Sequence, residues 1–120
     1  MAPTILEYAG LDRSPQTQGQ SLKPLVDGKK IEDWRESFFY EHWFNANGRI
    51  APSEGVRTMR WKYIRYFSPG NEEQGVSRQE ELYDLSVDPH ETTNLSGNSQ
   101  HSKQLDALRR DWSKFRVELR

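Results

Sequence analysis

Large apolar side chains recur at every second position along separate short stretches of this chain, and that spacing constrains its fold more than any other feature. In GVRTMRWKYIRY, residues 55–66, alternate positions set Met59, Trp61 and Tyr63 on one side and Thr58, Arg60 and Lys62 on the other, the period of a half-buried strand. The pattern reads as one strand whose Met59, Trp61 and Tyr63 enter a core. Ile64 and Tyr66 then fall on the polar side, which calls for a bulge or a second covering layer at that end. SFFYEHWF, residues 37–44, alternates Phe38, Tyr40, His42 and Phe44 against Phe39, Glu41 and Trp43, so that strand is expected to be central and at least partly covered on both faces. Residues 45–54 read as a long loop. EELYDLS, residues 80–86, is a further strand with Leu82 and Tyr83 facing opposite ways.

Helical signals lie at the two ends. PTILEYAG, residues 3–10, has Pro early, where its missing N–H costs nothing, and Gly10 placed to close the helix in the left-handed region. In SLKPLVDGKK, Leu22, Leu25 and Val26 form one apolar turn ended by Gly28. Near the other end, Leu105, Leu108, Trp112, Phe115 and Leu119 recur at steps of three and four residues, an apolar helical stripe that Asn98 or Ser99 can cap. The fold class expected is α+β: an antiparallel sheet packed against a long C-terminal helix, with a short N-terminal helical segment.

Charge and composition remove several classes of function. Seventeen Lys and Arg stand against 18 Asp and Glu, so the basic footprint of a nucleic-acid-binding domain is missing, and the basic–aromatic interleaving at 55–66 is assigned to a strand. Arg35, Arg60, Lys62 and Arg65 have Glu72, Glu73, Glu80 and Glu81 available to offset them. Apolar content is 33%, concentrated in four Trp, five Tyr and five Phe, so the core is expected to be small and aromatic. No apolar run approaches the roughly 18 residues of a membrane span, and MAPTILEYAG does not read as a signal peptide. The chain has no cysteine, which removes disulfides, thiolate nucleophiles and cysteine-based zinc sites.

The polar residues offer little catalytic chemistry on their own. Histidines occur singly at 42, 90 and 101, without the spacing of a zinc site, so no metal site is expected. Asp84, Asp88 and Glu91 lack the order of ligands and the central glycine of a calcium loop. The Asp88–Pro89 step reads instead as a turn in which the Asp88 side chain accepts backbone N–H groups. Asn94-Leu95-Ser96 is an N-glycosylation sequon, a pattern short enough to arise by chance.

Five segments in order carry a resemblance: PTILEYAGL (3–11), QGQSLKPLVDG (18–28), WRESFFYEHW (34–43), GVRTMRWKYIRY (55–66) and ELYDLSVDPHETTNL (81–95), followed by the amphipathic helix. Together they resemble the carboxy-terminal part of arylsulfatase-type sulfatases of the alkaline-phosphatase-like superfamily, in particular N-acetylglucosamine-6-sulfatases and sulfamidase-like members. The resemblance implies that residues 1–30 are the tail end of a large α/β domain with its connector. It implies that residues 31–120 are a smaller carboxy-terminal subdomain, with an antiparallel sheet of about four strands under a long helix. Its partners would be the N-terminal α/β domain of the same chain and a sulfated glycan.

In that family the nucleophile is a formylglycine made from Cys or Ser in a C/S-x-P-S-R motif, beside a calcium ion, both in the amino-terminal domain. This sequence contains no such motif, so the resemblance implies an enzyme in the parent protein, a fragment inactive alone, and no catalytic residue here. Strand ends of the carboxy-terminal sheet can form one wall of the substrate cleft, which makes His42, Trp43, Arg49 and Arg57 the candidates for sugar contact. The alternative for His42 is a satisfied imidazole inside the strand, and for Arg57 a cross-strand pair with Glu41. Ile5, Leu6, Leu22 and Leu25 are expected to pack against the absent large domain and, in this chain alone, either to fold back or to bury themselves in a neighbouring copy. A bacterial parent is expected in the periplasm or outside the cell. The rival function is a free-standing carbohydrate-binding or protein-interaction module built on exposed aromatics such as Trp43 or Trp61.

Overall fold

Two stretches of the chain form separate compact units, Met1–Arg35 and Glu36–Arg120. The computed structural model describes residues 2–17, 19–43, 50–68, 70 and 77–119. In the first unit, helix α1 spans Ala2–Tyr8 and is followed by Gly10 at φ +67°, the left-handed closure expected there. Helix α2, Lys23–Val26, carries its proline in the first turn and is followed by Gly28 at φ +74°. Thr4 Oγ1 accepts the Leu22 N–H at 3.0 Å, which ties the two short helices together. Ile5 is 63% exposed, and Leu22, Leu25 and Val26 are exposed as well.

The second unit is a four-stranded antiparallel sheet in the order β1-β2-β3-β4, made of β1 (Ser37–His42), β2 (Ser53–Thr58), β3 (Trp61–Phe67) and β4 (Ser77–Asp84). Helix α3, Ser102–Glu118, lies on one face. Register places Phe39, Val56, Tyr63 and Leu82 in one row across the sheet. Val56, Tyr63 and Leu82 are fully buried, and with Leu105, Leu108 and Trp112 of α3 and Phe67 they make the core. Phe39 stacks on Phe115 with ring centroids 6.1 Å apart. The row Tyr40, Gly55, Ile64 and Glu81 lies on the opposite, outer face, where Ile64 is 6% exposed. The α+β class and the helical stripe thus agree with the sequence pattern, apart from Leu119, which is exposed. Asn98 accepts the Gln100 N–H and caps the single 3-10 turn that leads into α3.

Three local expectations are corrected. GVRTMRWKYIRY is not one strand: it holds the end of β2, a reversal at Met59–Arg60 and most of β3. Thr58 Oγ1 accepts the N–H groups of Arg60 and Trp61 at 3.3 and 2.8 Å, and this side-chain turn reverses the chain. Met59 therefore sits at a hairpin tip, 92% exposed, while Tyr63 is in the core as expected. Trp61 is half-buried, its ring 5.7 Å from that of His101. Second, β1 is an edge strand, not a central one, and Phe38 is 44% exposed. Third, the supposed loop at 45–54 ends inside β2, since Ser53 and Glu54 are buried strand residues, and β4 begins at Ser77 instead of residue 80.

The turn after β4 follows its sequence. Asp88 accepts the Thr92 and Thr93 N–H groups at 3.0 and 2.9 Å, and these bonds hold its carboxyl below the usual carboxylate range. Arg65 is paired with Glu80, one of the carboxylates expected to offset it, whereas Arg60 and Lys62 pair with Asp84 and Glu91; Glu72 and Glu73 lie outside the described residues.

Candidate functional site

The outer face of the sheet, away from the helix, carries polar and aromatic side chains in cross-strand rows. His42, Ser53, Tyr66 and Gln79 form one cross-strand row at one end, and Phe38, Arg57, Lys62 and Tyr83 another towards the opposite end. His42 ends β1, and its Nε2 is buried with no hydrogen-bond partner among the described residues. A buried imidazole nitrogen without a partner is uncommon in a folded domain. Trp43 follows immediately, 40% exposed. Arg57 shares the His42 face, but the register separates them by four residues along the ladder, about 13 Å at the rise of a strand. These candidates therefore do not form one cluster. Arg49 lies outside the described residues.

The proposed Arg57–Glu41 pair is excluded by the register. Glu41 stands opposite Glu54 on the helix face, whereas Arg57 stands opposite Phe38 on the outer face. Lys62, next to Arg57 across the ladder, is bound to Glu91 at 2.5 Å; Glu91 adopts a left-handed φ of +57°.

A second group of residues at the His42 end escaped the sequence pattern. Tyr66, Arg78, Gln79 and Glu81, with Ala51, line a hollow of about 280 Å³. Glu81 is its organiser: it accepts the Tyr66 hydroxyl at 3.2 Å, the Tyr83 hydroxyl at 3.0 Å and the Gln79 amide at 3.1 Å. Burial, reinforced by the Glu81 carboxylate, pushes both phenols up to about 12, so they remain neutral donors near pH 7. The register shifts between Tyr66 and Phe67, which pair with Gln79 and Ser77, so Arg78 is the extra residue of a bulge. The sequence pattern calls for a bulge or a covering layer beyond Tyr63; Lys62, Ile64 and Tyr66 in fact alternate regularly onto the outer face, and the bulge lies in the partner strand β4. Arg78 and Gln79 were hidden because β4 appeared to begin after them.

Hydrogen-bond donors, acceptors and aromatic surfaces equip this face to bind. Among the described residues no group of three or more His, Asp or Glu could hold a metal ion, and no helix is long and apolar enough to cross a membrane.

Comparison with known proteins gives a consistent pattern. A family model described as N-sulphoglucosamine sulphohydrolase, C-terminal, matches residues 1–118. An N-acetylglucosamine-6-O-sulfatase of Bacteroides thetaiotaomicron is 32% identical over 110 residues, covering 89% of this chain and 18% of the relative. Arylsulfatase K of Mus musculus is 34% identical over 98 residues, covering 78% and 17%. Among solved structures, a protein in complex with its substrate D-glucosamine-2-N,6-O-disulfate superposes with a TM-score of 0.81 at 28% identity, covering 97% of this chain and 23% of that one. The chain thus spans about a fifth of the length of these relatives.

Proposed function

The chain belongs to the N-sulphoglucosamine sulphohydrolase C-terminal family, and from that membership we propose that it is the carboxy-terminal part of a sulfatase hydrolysing sulfate esters of a sulfated glycan. The observation that carries the reading is a family match running from residue 1 to residue 118. Relatives named as an N-acetylglucosamine-6-O-sulfatase and a delta 4,5-hexuronate-2-O-sulfatase support the glycan class. Residues 1–30 close the large α/β domain and connect it, and residues 31–120 are the subdomain. Exposed Ile5, Leu22 and Leu25 supply apolar surface for the large domain to cover.

Catalysis belongs to the part of the protein outside this chain. When present there, a formylglycine supplies the nucleophile and calcium offsets the sulfate charge. The residues here do not fit either group, for there is no Cys or Ser in a C/S-x-P-S-R motif and no metal-holding cluster among the described residues. The contribution of this chain is one wall of the substrate cleft. His42, whose Nε2 has no hydrogen-bond partner among the described residues, hydrogen-bonds a sugar hydroxyl, Trp43 stacks on a pyranose face, and Arg49 and Arg57 pair with anionic groups of the glycan.

The test is sulfate release from N- and 6-O-sulfated glucosamine oligosaccharides by the full-length protein. Hydrolysis is expected, with KM raised in His42→Ala and the isolated 120-residue chain inactive. A full-length protein with no C/S-x-P-S-R motif upstream and no sulfate release overturns the proposal.

A further inference from the structure

The hollow beside Tyr66 depends on an arrangement that regular strand geometry forbids. Successive residues of a strand point to opposite faces, yet Arg78 and Gln79 line the same hollow together with Glu81. The bulge makes this possible. Ser77 faces the helix, where its hydroxyl accepts from Arg65 Nη2 at 3.1 Å; the inserted Arg78 is turned outward; and Gln79 follows on the outer face opposite Tyr66. Bulges of this kind re-aim a side chain next to functional sites.

The outward guanidinium has no hydrogen bond or ion pair among the described residues, although Arg60, Arg65 and Arg109 all find carboxylates. The nearest carboxylate in the lining, Glu81, has both oxygens engaged by Gln79, Tyr66 and Tyr83. These bonds tie the Tyr66 hydroxyl and the Gln79 amide to Glu81, while Arg78 lines the same hollow with its donors unspent among the described residues. One cation and one carboxylate make the hollow close to electroneutral. That balance suits hydroxyls, whereas a sulfate would meet the Glu81 charge.

We infer that this bulge-built hollow is a sugar subsite, in which Arg78 donates hydrogen bonds to the hydroxyls of one unsulfated unit of the glycan while Tyr66 and Gln79 border it. The inference rests on the glycan sulfatase reading above and extends it to residues at the other side of the His42 row. Arg78 is a specificity-determining residue here, remote from bond cleavage.

The experiment uses the full-length protein with two readouts. In the kinetic one, Arg78→Ala raises the ratio of KM on a sulfated tetrasaccharide to KM on a sulfated monosaccharide by about tenfold, the worth of a hydrogen bond to a charged donor. Arg110→Ala, an exposed α3 substitution outside the site, leaves the ratio unchanged. In the binding one, calorimetric titration with a fully desulfated tetrasaccharide shows weaker binding by Arg78→Ala, with partial recovery in Arg78→Lys. An active enzyme whose ratio is unaltered, with equal calorimetric affinity, overturns the subsite and leaves the sulfatase reading intact. Absence of sulfate release overturns that reading, and the titration alone then decides the hollow. Weakening confined to sulfated ligands overturns the hydroxyl assignment.

Discussion

Trp112 Nε1 donates a 2.8 Å hydrogen bond to Glu54 Oε2 across the helix–sheet interface. Glu54 is 1% exposed, near the start of β2, an inner strand of the sheet. The same indole has the Arg65 guanidinium over its ring at 4.0 Å and that of Arg116 at 5.1 Å. A buried carboxylate is tolerated only with such partners. The contact therefore sets the position of α3 along the sheet as well as holding it there. Trp112→Phe is expected to destabilise the unit by about 1–3 kcal/mol, the cost of leaving a buried acceptor short of a donor. Urea unfolding of the two proteins measures it, and equal midpoints would show the bond to be dispensable.

Gly55 is required by its neighbours and not by its own backbone angles. A Cβ there would fall within 2.5 Å of the Tyr40 ring, which lies across it, and would also collide with the Tyr63 carbonyl oxygen. Gly55→Ala is expected to cost about 1–3 kcal/mol of overpacking. Adding Tyr40→Ala relieves the ring contact and leaves the backbone one, so the double variant does not recover the parent's thermal midpoint.

Asp84 makes the fold acid-sensitive. The Arg60 guanidinium, bonded to both its oxygens, together with the Ser86 N–H and hydroxyl, holds the Asp84 carboxyl well below the usual carboxylate range. A depressed folded-state value means that this stabilisation is present above about pH 4, where the unfolded chain's aspartate is ionised, and is lost as the pH falls further. Asp84→Asn is expected to flatten the acid limb of the stability curve between about pH 4 and pH 2, followed by denaturant midpoints at each pH. An unchanged slope would count against the coupling.

Asn94 works as a surrogate strand at the β4 edge. Its Oδ1 accepts the Leu82 and Ser96 N–H groups at 3.0 and 2.9 Å, its amide donates to Glu80 O at 3.1 Å, and Leu95 N–H donates to Leu82 O at 2.8 Å. This seals an edge that would otherwise be open to strand addition. Asn94→Ala is expected to cost about 1–3 kcal/mol and to speed hydrogen exchange at the Leu82 amide. Exchange at the parent's rate would refute the clamp. Because these bonds engage the sequon's amide, and the Ser96 hydroxyl donates to Glu80 O at 2.9 Å, folded protein from a secretory host should carry no glycan at Asn94, which intact mass measures.

The errors in reading the strands have a common physical origin. The reversal at Met59–Arg60 inverts the odd–even count, so that even Val56 and odd Tyr63 share the helix face, and the odd phase of Trp61 and Tyr63 in β3 reads on through Met59 as if no turn intervened. The turn residues Met59 and Arg60 also carry no glycine, proline or asparagine signal, since Thr58 makes the turn with its hydroxyl. Aromatics on both faces of β1 signified a central strand, but strand order depends on which segments pair.

Local alternation, the stripe on α3, the Asp88 turn and the two left-handed glycines were written in the chain, because each depends on residues a few positions apart. Their sum was enough for an α+β class and for the family resemblance. The strand order, the burial of Glu54 beneath Trp112, the exposure of Met59 and the hollow that Arg78 enters through a one-residue bulge were decided only in the folded sheet. Each of these depends on which backbone lies opposite which, and a shift of a single residue in that pairing carries a side chain to the other face.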